Sequence, residues 1–407
     1  MRGLVFDPRP PRLLAAGALS RVSPVAALTR VGPLALRELP DPVPPSPDWL
    51  QLAPLFTGLC GSDVTQATLQ ADWDNPLSGL VSFPHVVGHE VVARVLSAAD
   101  GRIDTGEPVV VSPWLGCPGR GLAPCPSCAD GLLPLCAHAG EAIPGVEGSG
   151  IHIGNIRGLP GGMGTRMVAH RSQLHRLPEG LEARAGVLAD PLAVGIHAAQ
   201  RALERLEGPG LDPVLVLGAG TIGLATAAAL RRLGTARVMV STAWPYQPAL
   251  VDCLGGEPIS SRPEVVLARV AEATSGRFSR PWRGLRWLIA GGAVAVVDAV
   301  GTAATAELAL AAVRPGGTVV RVGVGRARRS QGTLCYFKEV SVVGSNGYRP
   351  GDLDTAISML AEREVPWEIW LTHQFPLERW REAFRIAAQP QRHAAVKVSL
   401  TITEPGT

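Results

Sequence analysis

Residues 214–223 read Val214-Leu215-Val216-Leu217-Gly218-Ala219-Gly220-Thr221-Ile222-Gly223, and the fold is decided by how this stretch is read. Four apolar residues run into a glycine, and a segment of helical composition, 222–233, comes after them. The G-x-G-x-x-G spacing therefore falls directly after an expected strand and at the start of an expected helix, the setting that separates a specific signal from a mere Gly-rich turn. There the first glycine makes the tight turn, the second lets backbone approach a pyrophosphate, and the third lets helix pack on strand. The free N–H groups at the helix start receive the anion. Gly218, Gly220, Thr221, Ile222 and Gly223 are the expected dinucleotide-binding loop.

Outward from this loop, the chain beyond about residue 191 alternates helices with short, β-branched apolar runs at 214–217, 237–241, 294–298, 318–324 and 340–344. Near-continuous apolar strands are buried on both faces, so the pattern predicts a doubly wound parallel sheet. Upstream, a proline-rich connector at 39–47 precedes a strand at 49–57. Residues 86–111 alternate apolar and polar positions around Asp100-Gly101, which predicts antiparallel strands. Downstream, a helix at 353–364, a strand near Ile369, a helix at 377–388 and a final strand at 395–400 are expected to return to the first domain. The expected division is 1–190, 191–335 and 336–407.

Composition fits this plan. The 407 residues carry 38 Lys+Arg against 35 Asp+Glu, a formal charge of +3, and 46% are hydrophobic, which excludes disorder and collagen and allows two or three domains. No basic run is present, so nucleic acid is not an expected partner. Only Lys338 and Lys397 are lysines; with 47 Gly and 36 Pro this looks like coding bias, so isolated Arg or Gly residues carry no weight here. The apolar run 13–19 is short, lies beyond prolines 8, 10 and 11 and ends at Ser20-Arg21, so it is read as part of the fold of a cytoplasmic protein. The stretch 214–230 is broken by glycines and is no membrane span, so no membrane partner is expected.

The strand that should hold the adenosine ribose ends Val238-Met239-Val240-Ser241-Thr242-Ala243-Trp244. An acidic residue normally captures the ribose diol of NAD at this point. Here Ser241 and Thr242 stand instead, which permits a 2′-phosphate, although no arginine comes next to clamp it. The balance tips slightly to NADP, with NAD left open.

Seven cysteines fall at 60, 117, 125, 128, 136, 253 and 335. Cys117, Cys125, Cys128 and Cys136 lie within twenty residues, enough thiolates for a closed, structural tetrahedral zinc; buried free thiols are the alternative. A dispersed set, Cys60 in Cys60-Gly61-Ser62-Asp63, His89-Glu90, and Asp190 before Pro191-Leu192-Ala193-Val194, offers sulfur, nitrogen and oxygen donors with room for an exchangeable position. Taken singly these read as a small buried thiol, a core histidine and a helix cap.

In order, CGSD, GHE, the cysteine lobe, the carboxylate before PLAV, GAGTIG, LTHQFPL at 371–377 and AVKV at 395–398 resemble the zinc-dependent medium-chain alcohol dehydrogenases, polyol (sorbitol) dehydrogenase-like branch, over about residues 33–400. The resemblance implies an α/β fold, a Rossmann doubly wound parallel sheet inserted into a GroES-like β-rich catalytic domain, with a structural-zinc lobe at about 113–140 and the active site in the cleft. It implies two Zn2+ per chain, one on Cys60, His89, Glu90 and Asp190, and hydride transfer between NAD(P) and a secondary alcohol or ketone, such as a polyol, sugar, cyclitol or natural-product intermediate. Zinc would act there as a Lewis acid on the substrate oxygen. Ser62 matches the hydroxyl that passes the proton on, Val322, Val324 and Ser345 fall where strand ends meet the nicotinamide, and Lys397 falls where a basic side chain reaches the pyrophosphate. A homodimer or homotetramer is implied as well.

Several features depart from the pattern. Thr65 stands where many relatives have a histidine, Asp190 is one methylene shorter than glutamate, seven residues separate Cys117 from Cys125 where two are usual, and 8–32 extend the opening. The remaining histidines are read as structural, with His152 held as a candidate because 145–164 could form a cleft loop. A non-redox nucleotide-binding sensor or scaffold of the same fold is the alternative function.

Overall fold

A computed structural model describes residues 1–402 apart from 21–22, 30, 71–75, 98–102, 206–212, 280 and 324–331. The chain divides into two compact units, one of Met1–Asp190, Arg349–Arg363 and Trp367–Thr407, the other of Pro191–Tyr348 and Glu364–Pro366.

The second unit is built on six parallel strands in the order Glu257–Ser260, Val238–Thr242, Val214–Leu217, Ala293–Asp298, Val313–Arg321, Ser341–Gly344. Both neighbours of Val214–Leu217 run parallel to it, and the strand order reverses there, so the loop leaving this strand opens at the topological switch point where such sheets bind ligands. That loop turns at Gly218 with φ +97° and leads through Gly220, the N-cap, into the helix Thr221–Arg232. Gly223 is obligatory, because a Cβ there would lie 1.8 Å from the Gly218 carbonyl oxygen. The strand Glu257–Ser260 is not legible in the sequence: it is an edge strand holding a proline, and among its residues only Ile259 is buried. Lys338 is buried against the C-terminal end of the helix Ala303–Ala312, donating to the carbonyls of Leu310 and Val313. Burial lowers its pKa to about 8.

The first unit carries a seven-stranded sheet, with path Leu371–Pro376, Lys397–Thr401, Trp49–Gly58, Glu90–Val95, Pro108–Val111, Leu174–Arg176, and Met167–His170 paired to Trp49–Gly58. The strand expected near Ile369 is instead a short helix, Trp367–Trp370, and the strand begins one residue later at Leu371. Trp367 and Trp370, three apart, are both buried, which a helical turn allows and an alternating strand does not.

The N-terminal segment has a structural role. Arg2–Phe6 pairs with Leu34–Glu38 and with His85–Val86, and the apolar run 13–19 lies in the helix Pro10–Ser20 between the first two strands. Leu4, Phe6, Leu28 and Leu34 share a core with Trp380 and Phe384 of the helix Trp380–Ala388. Each large aromatic buries roughly 150–250 Å2, a transfer gain on the order of 5 kcal/mol.

Sheet register decides which side chains meet. Gly58 stands opposite Glu90 on one side and Ser399 on the other. Cys60, His89 and Lys397 lie within two residues of these three positions, so pairing distant strands brings them to one end of the sheet.

Candidate active site and metal centres

Cys60 is the N-cap of the helix Gly61–Ala67. Its amide donates to Asp63 Oδ2 at 3.1 Å, the bond that fixes the turn carrying the thiol. The other Asp63 oxygen faces His89 Nδ1 at 3.6 Å. Burial works against the Asp63 carboxylate, yet the His89 imidazole and the Cys60 amide hold its pKa below the ordinary value. One buried carboxylate thus orients two donors and leaves His89 Nε2 for an ion. Glu90 comes next, on the strand beside Gly58, where any Cβ would come within 2.1 Å of Glu90 Oε2.

Donor atoms of Cys60, His89 and Glu90 lie within 4.8 Å of one another. Sulfur, imidazole nitrogen and carboxylate oxygen make a zinc-type set, so the residues fit the ion that the sequence implies. Asp190 is not in this trio, but it stands close enough to push up the pKa of Glu90 and of Lys397.

Lys397 departs from its expected part. Its Nζ is buried and donates to Glu90 Oε1 at 2.6 Å and to the Leu59 carbonyl at 3.2 Å. Burial opposes the ammonium, but Glu90, Cys60 and Asp190 together more than offset it and hold the pKa above the usual lysine value. The charge expected on a pyrophosphate is therefore committed to a carboxylate of the same unit. Ser62 is exposed on the first turn of the helix Gly61–Ala67, and the Thr65 hydroxyl donates back to the Gly61 carbonyl at 2.7 Å.

His152 is the histidine that the structure brings in. Its ring centre lies 5.0 Å from that of His89 and packs edge-on against Trp114 at 5.4 Å. Nδ1 lies 2.7 Å from the Ile153 carbonyl and Nε2 2.9 Å from Asn155 Nδ2, so both ring nitrogens are engaged, and burial lowers its pKa to about 3. It is a neutral buttress. The surrounding segment is fastened by Gly162 N to Gly88 O at 2.9 Å and by the Thr57 hydroxyl to Gly162 O at 2.7 Å. Asp63 belongs to the CGSD motif, and its spacing of three from Cys60, that of a helix cap, is the sequence signal for its role.

Cys117, Cys125, Cys128 and Cys136 also present their sulfurs within 4.8 Å of one another. Cys117 and Cys136 sulfurs are 3.6 Å apart, far longer than a disulfide of about 2.05 Å and close to the edge of about 3.8 Å that a tetrahedron with zinc–sulfur bonds of about 2.3 Å requires. Backbone amides of Cys117, Cys125 and Ala137 donate to sulfurs of the set at 3.3–3.4 Å.

In the second unit, the Ser241 hydroxyl accepts from Gly218 N at 2.9 Å and the Thr242 hydroxyl donates to the Ile259 carbonyl at 3.1 Å. These groups brace the loop and the sheet. Beyond them Gln247 accepts from the amides of Ala243 and Trp244 and donates to the Ala219 carbonyl, tying the glycine loop to the strand end. Val322 N donates to Asp298 O, and Ser345 Oγ is buried without a hydrogen-bond partner among the described residues. Val324 lies outside the described residues.

Residues 46–179 match the alcohol dehydrogenase GroES-like domain and residues 221–362 the zinc-binding dehydrogenase domain, about two thirds of the chain together. The chain belongs to the zinc-dependent medium-chain alcohol dehydrogenases and is an NAD(P)-dependent oxidoreductase of small alcohols and ketones. Sorbitol dehydrogenase 1 of Saccharomyces cerevisiae is 25% identical over 372 residues, covering 89% of this chain and 93% of its own. Sorbitol dehydrogenase of Ovis aries is 28% identical over 359 residues, covering 87% and 90%. The alcohol dehydrogenase TADH from Thermus sp. ATN1 has the same fold, with a TM-score of 0.71 at 23% identity, covering 99% of this chain and 100% of that one. The non-redox scaffold reading finds no support. No helix among the described residues is long and apolar enough to cross a membrane.

Proposed function

We propose that this chain is a two-zinc dehydrogenase that oxidises a secondary alcohol of a polyol or sugar derivative, or reduces the matching ketone, with NADP preferred slightly over NAD. The observation that carries this reading is the convergence of Cys60, His89 and Glu90. Zinc on that trio would supply Lewis acidity to the substrate oxygen, while the nicotinamide would exchange the hydride. The residues do the positioning: Asp63 fixes the thiolate turn and the imidazole, His152 backs the imidazole, and Lys397 balances the Glu90 charge. Ser62 is exposed and serves as the outlet for the alcohol proton, with water in place of the histidine that Thr65 replaces.

Cys117, Cys125, Cys128 and Cys136 would hold the second, structural ion. The lean to NADP rests on the strand Val238–Thr242, which ends without a carboxylate to repel a 2′-phosphate. Exposed Tyr336, Phe337 and Val342, on the last helix and edge strand of the nucleotide-binding unit, favour a homodimer or homotetramer. Seven free cysteines suit a reducing cytoplasm.

The test is initial-rate kinetics with sorbitol, xylitol and 2,3-butanediol using each oxidised cofactor, alongside metal analysis. Turnover of at least one of these alcohols, two zincs per chain and a higher kcat/KM with NADP are expected. A clear NADH preference by nicotinamide fluorescence would overturn the cofactor assignment, and turnover that survives removal of both zincs would overturn the mechanism.

A further inference from the structure

The lobe that holds four cysteines contains a single arginine and no lysine between residues 113 and 141. That residue, Arg120, is only 2% exposed. It lies on the turn Pro118–Arg120, inside the seven-residue spacing between Cys117 and Cys125. Its backbone amide donates to the Cys117 carbonyl at 3.0 Å, closing the turn onto the first thiol. One guanidinium nitrogen donates to the Leu115 carbonyl and the other to the Gly150 carbonyl at 2.6 Å. Nε is buried and has no hydrogen-bond partner among the described residues.

Four thiolates around a divalent ion leave a net charge of about −2 in a largely buried lobe, a charge that must be offset nearby. Three amide N–H groups on the sulfurs supply part of this. Arg120 is the one full positive charge within the lobe that stays ionised when buried. Burial pulls its pKa down, while Cys136, Cys117, Glu141 and Cys128 pull it up, so the guanidinium stands within electrostatic reach of three of the four thiols.

Gly150 gives the contact a second consequence. It opens the segment that runs beside the trio: Leu115 N donates to Ile151 O at 3.2 Å, Trp114 bridges to His152, and His152 packs on His89. We infer that Arg120 is the internal counter-cation of the four-cysteine centre and the clasp that holds the lobe to the segment beside the catalytic histidine. On this account the long Cys117–Cys125 spacing is the loop needed to carry one buried guanidinium inside the lobe. Removing the charge should loosen the thiolate-bound ion specifically, as losing an outer-shell partner does.

This inference rests on the reading that the four cysteines bind zinc, and the experiment separates the two. Full-length wild type, Arg120→Met and Arg120→Lys are compared by zinc content per chain, by the rate of zinc release to a chromophoric chelator, and by thiolate charge-transfer absorption after cobalt exchange. Wild type should retain its thiolate-bound ion, R120M should release it about tenfold faster or more, and R120K, which keeps the charge but loses the fork, should fall between. If R120M does not fold, faster release from folded R120K than from wild type carries the claim. Two zincs in wild type with equal release from all folded variants would overturn the inference alone. A wild-type chain without an ion on the four cysteines would overturn it together with the reading beneath it.

Discussion

The two metal-type centres are assembled in opposite ways. The cysteine lobe takes all four donors from residues 117–136, on short turns whose own amides point at the sulfurs. The trio takes Cys60 from the end of one strand and His89 and Glu90 from the start of another, and it needs a third strand, more than 300 residues further on, to deliver Lys397. A local site can form wherever its loop is tolerated, whereas a site built on sheet register exists only when the whole unit has folded. Its donors are held by pairing and by buried hydrogen bonds rather than by chain proximity.

That contrast predicts separable losses. His89→Ala should lower kcat by about a thousandfold, several kcal/mol of transition-state stabilisation, while the lobe keeps its ion. Cys125→Ser should lose the other zinc and unfold at lower temperature, with kcat at low temperature reduced by less than about tenfold, since its effect runs through stability. Metal content, initial rates and thermal melts on the two variants decide this. If both lose both zincs together, the two centres are one cooperative unit.

The same contrast explains what the sequence could and could not reveal. Spacing alone pointed to the lobe, because twenty residues contain all of it. The trio was legible only through resemblance to a family, since nothing in a single chain says that position 60 stands beside position 89. Partner choice inside the site was hidden further. Lys397 looked like a phosphate ligand until the register Gly58 opposite Ser399 placed its side chain on Glu90. Ser241 and Thr242 were read from their place at the strand end, but a hydroxyl takes backbone partners that spacing does not announce, here Gly218 N and Ile259 O. The strands at 214–217 and 293–298 declared themselves by apolar runs, whereas the edge strand Glu257–Ser260 and the helix Trp367–Trp370 did not, because one is half exposed and the other is a single turn.

A site that depends on the whole unit should weaken when the unit does, and acid is the means. His85 lies on the two-residue strand ahead of His89, stacked on Phe83 and Phe6, with Gln66 of the Cys60 helix 3.4 Å from its Nε2. Burial lowers its pKa to about 4, against about 6.5 in the unfolded chain. Between those values the unfolded chain holds a proton that the folded chain does not. Stability is therefore lost as pH falls from about 6.5 to 4, by up to about 3 kcal/mol. Urea unfolding at pH 7, 5.5 and 4.5 should show a smaller acid loss in His85→Asn than in wild type, and parallel losses in the two would show that His85 does not carry the effect.

The smallest expected effect probes the carboxylate that joins the two halves of the trio. Asp63 serves the Cys60 amide with one oxygen and faces His89 with the other. Asn in its place keeps an oxygen for the amide but loses the negative charge that orients and polarises the imidazole. Asp63→Asn should therefore weaken zinc binding at the trio about 10- to 100-fold, and lower activity in step, with little change in melting temperature. Asp63→Ala should add the loss of the helix cap, about 1 kcal/mol of stability. Chelator competition measures the first effect and thermal unfolding the second. The lobe ion is the internal control, for it shares no hydrogen bond with Asp63. Unchanged zinc affinity at the trio in D63N would mean that register alone, without a buried carboxylate, is enough to hold an imidazole on the metal.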